Sequence, residues 1–333
     1  MGAGDEDVDS LAAQSDDEEK FRGSAKTVIE TCMQLRGHEN LLIITDPKTA
    51  EIGQVLYEAG SQVSDRVLMV MMPSTHRHGQ EPPAPVADLM RRQHVVIAAT
   101  RYSLTHTRAR LISSKDGARI ATMPGVTRSM FVEGGMTADF DALQTHIAGM
   151  AKILRKYRDI IIKNSDGDSL EFTISGRWNL EDNGICNRPG QVTNLPAGKI
   201  FAEVKKESVN GVIKINGTWD SISLDEPICI IVDEGRIVDI QAAEKGVLNE
   251  PILEFIGENM DKMKIVEFGF GMNPMARISG SALEDEKVLG SCYIVLQQPA
   301  SRGSPELRAT GILMDSTVML GEHNLIENGK FNE

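Results

Sequence analysis

The sequence predicts an α/β protein in which an N-terminal, doubly wound parallel sheet is followed by a β-rich α+β domain. Three observations carry this prediction: a length of 333 residues, short apolar runs that alternate with helical patterns up to about residue 158, and later strands separated by glycine turns. Chains of this length usually form about two domains, at roughly 150 residues each. We therefore expect one domain with a linking helix over residues 23–158, and a second over residues 159–333.

The first 22 residues form an acidic segment that precedes these domains. Residues 1–20 hold eight acidic side chains and one lysine, a net charge of −7, which leaves −6 of the total of −13 for the remainder. Aromatic and β-branched residues are nearly absent, so the segment cannot bury enough apolar area to offset the entropy of ordering it. We expect residues 1–22 to be a disordered tail.

Alternating helices and buried strands define the N-terminal domain. Ser24 is a candidate N-cap for a helix that ends at Gly37, and Asn40–Thr45 is an apolar run typical of a strand buried on both faces. The elements that follow are helix Ala50–Gly60, strand Val67–Met72, helix Pro85–Arg92, strand Val95–Ala99, helix Arg108–Ser114 and strand Arg119–Thr122. This alternation implies parallel strands joined by right-handed crossovers. No GxGxxG or GxxxxGK[ST] motif follows any strand, so the sequence does not support a dinucleotide or P-loop site.

A long amphipathic helix, Asp139–Tyr157, leads into the β-rich domain. Asp-Gly, Asn-Gly and Glu-Gly turns separate its candidate strands. These strands are Ile160–Lys163, Ser169–Ser175, Lys199–Val204, Gly211–Thr218, Pro227–Val232 and Arg236–Gln241. One further helix, Pro251–Met260, and a hairpin around Gly321 within Ser316–Glu333 complete the domain.

Composition and charge exclude several classes of protein. The body of the chain is acidic and carries no lysine- or arginine-rich stripe, so nucleic-acid binding is not expected. No run of 18 apolar residues or N-terminal signal segment is present, so we expect a cytoplasmic protein without a membrane partner. The four cysteines are far apart and form no CxxC pair, which indicates buried free thiols.

A series of phrases resembles the aminopeptidase-T-like family of metallo-aminopeptidases. They are "LLIITDPKTAEIGQVLYEAG", "SLTHTRAR" and "GARIATMPGVTRSMF" in the first half and "NLPAGKIFAEVKKESVNGVIKING" and "VEFGFGMNPMARISGSALEDEKVLG" in the second. The resemblance runs from about Thr27 to Lys330 and implies two domains, a metal-holding cleft in the C-terminal domain, and often a homodimer. A related branch resembles ring-opening Fe(II) dioxygenases that act on dihydroxypyridines.

The metal ligands that this resemblance implies are only partly present. Glu267 matches the glutamate that follows a strand in the family, and Glu286 matches a second glutamate; the ring-opening branch places a histidine where Glu267 stands. A histidine of the hydrolase pattern falls on Tyr293, and the family's His-x-Asp falls on Arg308 and Thr310. Because a catalytic metal needs three or four ligands, we do not expect one here; a divalent metal, if present, would use Glu267 and Glu286.

The residues at these positions define a candidate catalytic site. We expect Glu267 and Glu286 to be an acidic pair in which one carboxylate acts as acid or base. Arg308 would neutralise them in place of the metal ion, or would instead face solvent in a loop rich in serine, glycine and proline. Tyr293 would donate a phenolic hydrogen bond or pack as an aromatic side chain.

Three further residues are candidates for substrate binding. His106 and Arg108 follow strand Val95–Ala99, at the sheet edge where ligands collect, and the alternative is a capped helix N-terminus. Thr310 belongs to the former metal cleft. Lys199 stands where relatives carry glutamate, and we expect it at a surface strand end.

These residues lead to one main functional hypothesis and two alternatives. The main hypothesis is an enzyme with a remodelled, metal-deficient cleft that hydrolyses or otherwise transforms a small molecule by acid–base chemistry. The first alternative is a metal-dependent aminopeptidase or a ring-opening Fe(II) dioxygenase of an N-heteroaromatic. The second is a non-catalytic ligand-binding protein or partner subunit.

Overall fold

The computed structural model describes residues 5–220, 222–242, 252, 260, 262–299 and 307–332, with the side chains of residues 5–13 left out. The chain divides into two compact units, residues 1–144 with 182–197 and residues 145–181 with 198–333. Both units are discontinuous in sequence, which differs from the predicted boundaries at residues 158 and 159. Hydrophobic periodicity along the chain predicts local helices and strands but not which of them pack together. It could therefore not reveal that each unit is made of two separate stretches of sequence.

Most helices lie in the first half of the chain and most strands in the second. The helices are α1 (Asp5–Thr27), which continues as a π-helical turn (Val28–Cys32), α2 (Ala50–Ser61), α3 (Ala84–Met90), α4 (Arg108–Lys115), α5 (Arg128–Val132), α6 (Phe140–Leu154) and α7 (Ala282–Asp285). The first ten strands are β1 (Leu41–Thr45), β2 (Val67–Met71), β3 (Val95–Ala99), β4 (Arg119–Thr122), β5 (Asp159–Lys163), β6 (Ser169–Asn179), β7 (Val192–Asn194), β8 (Lys199–Val204), β9 (Asn210–Ile215) and β10 (Thr218–Trp219). The remaining strands are β11 (Ile222–Ser223), β12 (Ile228–Asp233), β13 (Arg236–Ala242), β14 (Lys264–Gly271), β15 (Cys292–Gln298), β16 (Leu307–Leu313), β17 (Thr317–Leu320), β18 (His323–Glu327) and β19 (Lys330–Phe331).

The first unit contains a parallel sheet of five strands in the order β2-β1-β3-β4-β7. Every residue of β1, β3 and β4 is buried, as expected for strands covered by helices on both faces. This confirms the predicted doubly wound sheet. Strand β7 was not predicted, because three residues, Val192–Asn194, carry too short an apolar pattern to be recognised.

Helix α1 occupies a segment that composition predicted to be disordered. Phe21 is 3% exposed and packs edge-on against Phe131, with ring centroids 5.6 Å apart. The Arg128 guanidinium lies 4.2 Å from the centre of the Phe21 ring and forms an ion pair of 2.5 Å with Glu18. The prediction for residues 1–22 therefore differs from the structure, because these partners are distant in sequence and composition does not report them.

The second unit is built on a 14-stranded sheet. Its main path runs β11-β10-β16-β15-β14-β8-β6-β5-β17-β18-β19. A branch leaves this path at β6, where β9 pairs with β6, β12 pairs with β9, and β13 pairs with β12. The hairpin predicted around Gly321 is present as β17 and β18. At the centre of the path, β16, β15, β14 and β8 are antiparallel neighbours, and these four strands position the candidate site.

Three local predictions for the chain differ from the structure or fall outside it. Ser24 lies within α1 and is not its N-cap; its hydroxyl donates a hydrogen bond of 2.6 Å to the carbonyl oxygen of Phe131. The predicted strand Gly211–Thr218 is divided into β9 and β10. The helix predicted over Pro251–Met260 lies outside the described residues, apart from its residues 252 and 260.

Two further findings concern the cysteines and the length and polarity of the helices. All four cysteines are buried and free, as predicted. In the part of the chain that the structure describes, helices are too short or too polar to cross a membrane.

Candidate functional site

Four adjacent strands of the second unit present charged side chains on one face. In this antiparallel arrangement Tyr293 on β15 is opposite Gly269 on β14, and Lys199 on β8 is opposite Gly271. Because side chains alternate between the faces of a sheet, Glu267 shares a face with Gly269 and Gly271. Arg308 on β16 reaches the same face beside β15. Glu267 thus lies within β14, whereas the sequence predicted that it follows a strand.

The Glu267 carboxylate is the centre of this site. Its Oε1 accepts a hydrogen bond of 2.8 Å from the Tyr293 hydroxyl, and its Oε2 accepts one of 2.8 Å from Arg308 Nη2. The Lys199 ammonium lies 3.8 Å from Oε1. Only 13% of the Glu267 side chain is exposed, so these donors replace most of the water that would otherwise solvate the carboxylate. The predicted contacts of Glu267 with Tyr293 and Arg308 are present, but Arg308 does not neutralise Glu286 as predicted, because lysines pair with that carboxylate.

Tyr293 is fully buried because the neighbouring strand has no side chain at the opposite position. A Cβ atom at Gly269 would lie 2.5 Å from Cε1 and 2.6 Å from Oη of the tyrosine. The ring therefore lies directly on the backbone of β14, with its hydroxyl at Glu267. Any larger residue at position 269 would displace this hydroxyl.

Lys199 joins Glu267 to the second predicted carboxylate. Its Nζ lies 3.0 Å from Oε2 of Glu286, and the residue is 8% exposed. The ammonium also lies 4.8 Å from the centre of the Tyr293 ring and 4.9 Å from that of Phe201. The expectation of a surface strand end was wrong, because two carboxylates contributed by distant segments offset the cost of burying the ammonium.

Glu286 follows α7 and is held between two lysines. Lys287, which is fully buried, contacts Oε1 while Lys199 contacts Oε2. Burial opposes ionisation of this carboxyl, but the two ammonium groups outweigh burial and lower its pKa to about 2. Glu286 is therefore a permanent anion at neutral pH. We call Lys199, Glu267, Glu286, Tyr293 and Arg308 the Glu267 cluster.

Asp220 lies at the edge of this cluster and was not predicted. Its Oδ1 accepts a hydrogen bond of 2.7 Å from the Thr310 amide, and its own amide donates one of 2.8 Å to the Thr310 carbonyl. Burial raises the pKa of Asp220 to about 6; the Thr310 amide and the charge of Arg308 oppose this rise, and the charge of Glu286 adds to it. Its backbone φ of 50° is unusual for a residue other than glycine. A single aspartate after a two-residue strand carries no sequence signal that could have identified it.

Thr310 lies at this site, and its backbone groups make the contacts there. The residue is 8% exposed, and its amide and carbonyl both bond to Asp220. Arg308 and Thr310 therefore occupy one edge of the cluster, as their i and i+2 positions on β16 require.

His106 and Arg108 belong to the first unit. Arg108 is the first residue of α4, and its amide donates a hydrogen bond of 2.5 Å to the carboxylate of Glu81. The helix is capped by Thr107, whose hydroxyl accepts a hydrogen bond of 3.2 Å from the Arg110 amide. The structure therefore provides the capped helix N-terminus that was the alternative for this segment.

Comparisons with known proteins place the fold among enzymes. Residues 21–292 match the family profile described as NicX, 2,5-dihydroxypyridine 5,6-dioxygenase. This chain is similar to the solved 2,5-dihydroxypyridine dioxygenase from Pseudomonas putida KT2440, with a TM-score of 0.76 and 13% identity over 94% of this chain and 96% of that one. It is also similar to wild-type AmpT from Thermus thermophilus, with a TM-score of 0.65 and 13% identity over 95% and 100% of the two chains. No curated protein matches the sequence significantly.

Proposed function

The chain belongs to the 2,5-dihydroxypyridine 5,6-dioxygenase family, and from this premise we propose that it is an enzyme that transforms a small molecule by acid–base chemistry at the Glu267 cluster. The observation that carries the proposal is the Glu267 carboxylate, which is bonded at 2.8 Å by both a buried phenol and a guanidinium. A carboxylate that is held in place by these two donors can accept a proton from a substrate and return one.

The side chains of the cluster do not fit the iron that this family implies. A non-haem iron that activates oxygen is typically held by two histidines and one carboxylate. Of the two histidines in the second unit, His146 is exposed on α6, and the ring of His323 stacks on Tyr157 at 5.8 Å. Among residues with a described position, no three histidine, cysteine, aspartate or glutamate side chains are grouped to hold a metal ion. The ammonium of Lys199, 3.0 Å from Glu286 and 3.8 Å from Glu267, would repel a cation there.

Each member of the cluster has a distinct part in the proposed chemistry. Glu267 accepts a proton from the substrate and returns one to it, while the buried Tyr293 hydroxyl donates a hydrogen bond to Glu267 and positions the carboxylate. Arg308 stabilises negative charge that develops on a substrate oxygen. Asp220, which is bonded to the Thr310 amide and has a pKa of about 6, changes its charge near neutral pH at the edge of the cluster. Glu286 remains ionised and keeps Lys199 in place.

Turnover without metal and oxygen tests the proposal. Protein dialysed against EDTA is incubated anaerobically with 2,5-dihydroxypyridine and with a panel of hydroxylated pyridines and aromatic amides, and products are separated by chromatography. We expect conversion of at least one compound, reduced by about 100-fold or more in Glu267→Gln and Tyr293→Phe. Lys214→Met, which alters an exposed ion pair elsewhere in the second unit, is the control and should retain full activity.

The second candidate function is the ring-opening dioxygenase reaction, and the family match over residues 21–292 favours it. Oxygen uptake with 2,5-dihydroxypyridine after addition of Fe(II) measures this activity directly. Iron-dependent uptake by the wild-type protein would replace acid–base chemistry with the reaction of the family name. Absence of turnover in both assays would indicate a non-catalytic ligand-binding protein.

A further inference from the structure

One residue of the Glu267 cluster is much more accessible than the others. The side chain of Arg308 is 44% exposed, whereas those of Lys199, Glu267 and Glu286 are 10–13% exposed. Access to the cluster is therefore from the side of Arg308. The hydrogen bond from its Nη2 to Glu267 uses one of the five N–H donors of a guanidinium. The guanidinium can thus bond to a second oxyanion while it keeps its contact with Glu267.

Among Lys199, Lys287 and Arg308, Arg308 is the cation that a ligand can reach. Lys199, Lys287 and Arg308 contribute three positive charges, and Glu267 and Glu286 contribute two negative charges. Lys199 and Lys287 are buried in contact with Glu267 and Glu286, so their charges are matched, and Arg308 is the cation of this group that faces solvent. Asp220 adds a third negative charge when it is ionised, which makes the group of six side chains neutral.

An apolar wall lies beside these charges. Phe201 and Met314 are partly buried and pack against a cluster of fully or nearly fully buried side chains formed by Val266, Tyr293, Val295 and Ile312. Phe201 shares its face of β8 with Lys199, because the two residues are two positions apart. Phe201 is paired with Gly269, which is in turn opposite Tyr293, so a flat ring that packs on Phe201 would lie beside the cluster.

From this arrangement we infer that the Glu267 cluster binds a small planar molecule with one carboxylate, which Arg308 holds by a charge-assisted hydrogen bond. The inference rests on the proposed function, since it names the substrate class of the same site. Guanidinium and carboxylate are matched in geometry, and the flat ring is matched to the wall at Phe201.

Binding of benzoate and benzamide, measured by NMR titration on the full chain, tests the inference. The two probes have the same ring and nearly the same size, and only benzoate carries a charge. We expect benzoate to bind at least about tenfold more tightly than benzamide, as one hydrogen bond to a charged group implies. Arg308→Gln should abolish this preference, and Arg308→Lys, which keeps the charge, should retain part of it.

Arg91→Gln is the matched control, because Arg91 forms a comparable exposed pair of 3.0 Å with Asp116 in the first unit. This variant should bind benzoate as the wild type does. Equal affinity for the two probes, no binding of benzoate, or a preference that persists in Arg308→Gln would overturn the inference. Conversion of uncharged compounds in the anaerobic assay without a benzoate preference would refute the inference alone. A benzoate preference without any conversion would refute the proposed function alone.

Discussion

Replacement of Lys199 by methionine is the sharpest test of the charge arrangement at the candidate site. The substitution keeps the volume of the side chain and removes the ammonium that lies 3.0 Å from Glu286 and 3.8 Å from Glu267. Glu286 then keeps only Lys287, and Glu267 keeps Arg308 and Tyr293. Two carboxylates that are mostly buried would face each other with one cation fewer.

The expected loss of stability is about 3 kcal/mol at neutral pH. At an effective dielectric constant of about 20, charges at these two distances attract by about 5 and 4 kcal/mol, and desolvation of the ions cancels much of this attraction. Loss of one partner from a buried ion pair typically costs about 3–5 kcal/mol. The fall of the Glu286 pKa from 4.5 to about 2 is equivalent to about 3 kcal/mol and is the joint effect of Lys199 and Lys287 against burial, so we expect the loss of Lys199 alone at the lower end of that range.

The loss should shrink in acid. Since the folded pKa of Glu286 is below its unfolded value of 4.5, its ionisation stabilises the fold fully above that pH, and this contribution is lost as pH falls toward 2. Without Lys199, burial raises the pKa of Glu286 and removes much of this contribution. The difference between wild type and Lys199→Met should therefore be smaller at pH 3.5 than at pH 7.5, by about 1 kcal/mol.

Urea unfolding followed by circular dichroism at pH 7.5 and 3.5 measures both quantities. Lys214→Met is the matched control, because Lys214 also lies between two carboxylates, those of Asp166 and Asp168, but all three side chains are more exposed. This control should lose less than about 1 kcal/mol. A loss for Lys199→Met no larger than that of the control, or one that does not change with pH, would refute the account of a buried ammonium that holds two carboxylates.

Two further predictions concern the first unit. Glu39 and Arg119 form two hydrogen bonds of 2.8 Å with both side chains at most 6% exposed, so Glu39→Gln should cost about 3 kcal/mol at pH 7 in urea unfolding, against less than about 1 kcal/mol for the exposed Asp116→Asn. The Arg119 hydrogen bond lowers the pKa of Glu39, so the cost should fall as pH drops below 4.5, and a constant cost would contradict this interpretation. Phe21→Ala should lower stability by about 3–5 kcal/mol in thermal melts, whereas Glu18→Gln should change it by about 0.5 kcal/mol; equal melts would show that α1 contributes nothing to the core.

The fold could be predicted from the sequence wherever the signal is local. Strand Val95–Ala99 has the predicted bounds, because a strand buried on both faces is apolar at every position. The fold class is confirmed for the same reason. Strand β7 and the division of the units depend on pairings between distant segments, and no local pattern encodes such pairings.

Only part of the candidate site could be predicted from the sequence. Glu267, Tyr293 and Arg308 could be brought together because each aligned with a position of a known cleft. The role of Lys199 could not be predicted. A buried lysine is stable only beside a partner of opposite charge, and its partner Glu286 lies far along the chain. Asp220 was missed because its raised pKa arises from burial, which a sequence does not show.

The late position of β7 constrains how the chain can be made. Residues 182–197 complete the first sheet, yet residues 145–181, which precede them, belong to the other unit. On the ribosome the N-terminal part emerges first, so this sheet lacks its edge strand until β5 and β6 have also emerged. Strand β5 pairs with β17 and strand β6 pairs with β8, and both of these partners are synthesised later still. Neither unit can finish folding as an uninterrupted stretch of nascent chain, and a single cut between them would not yield two whole units.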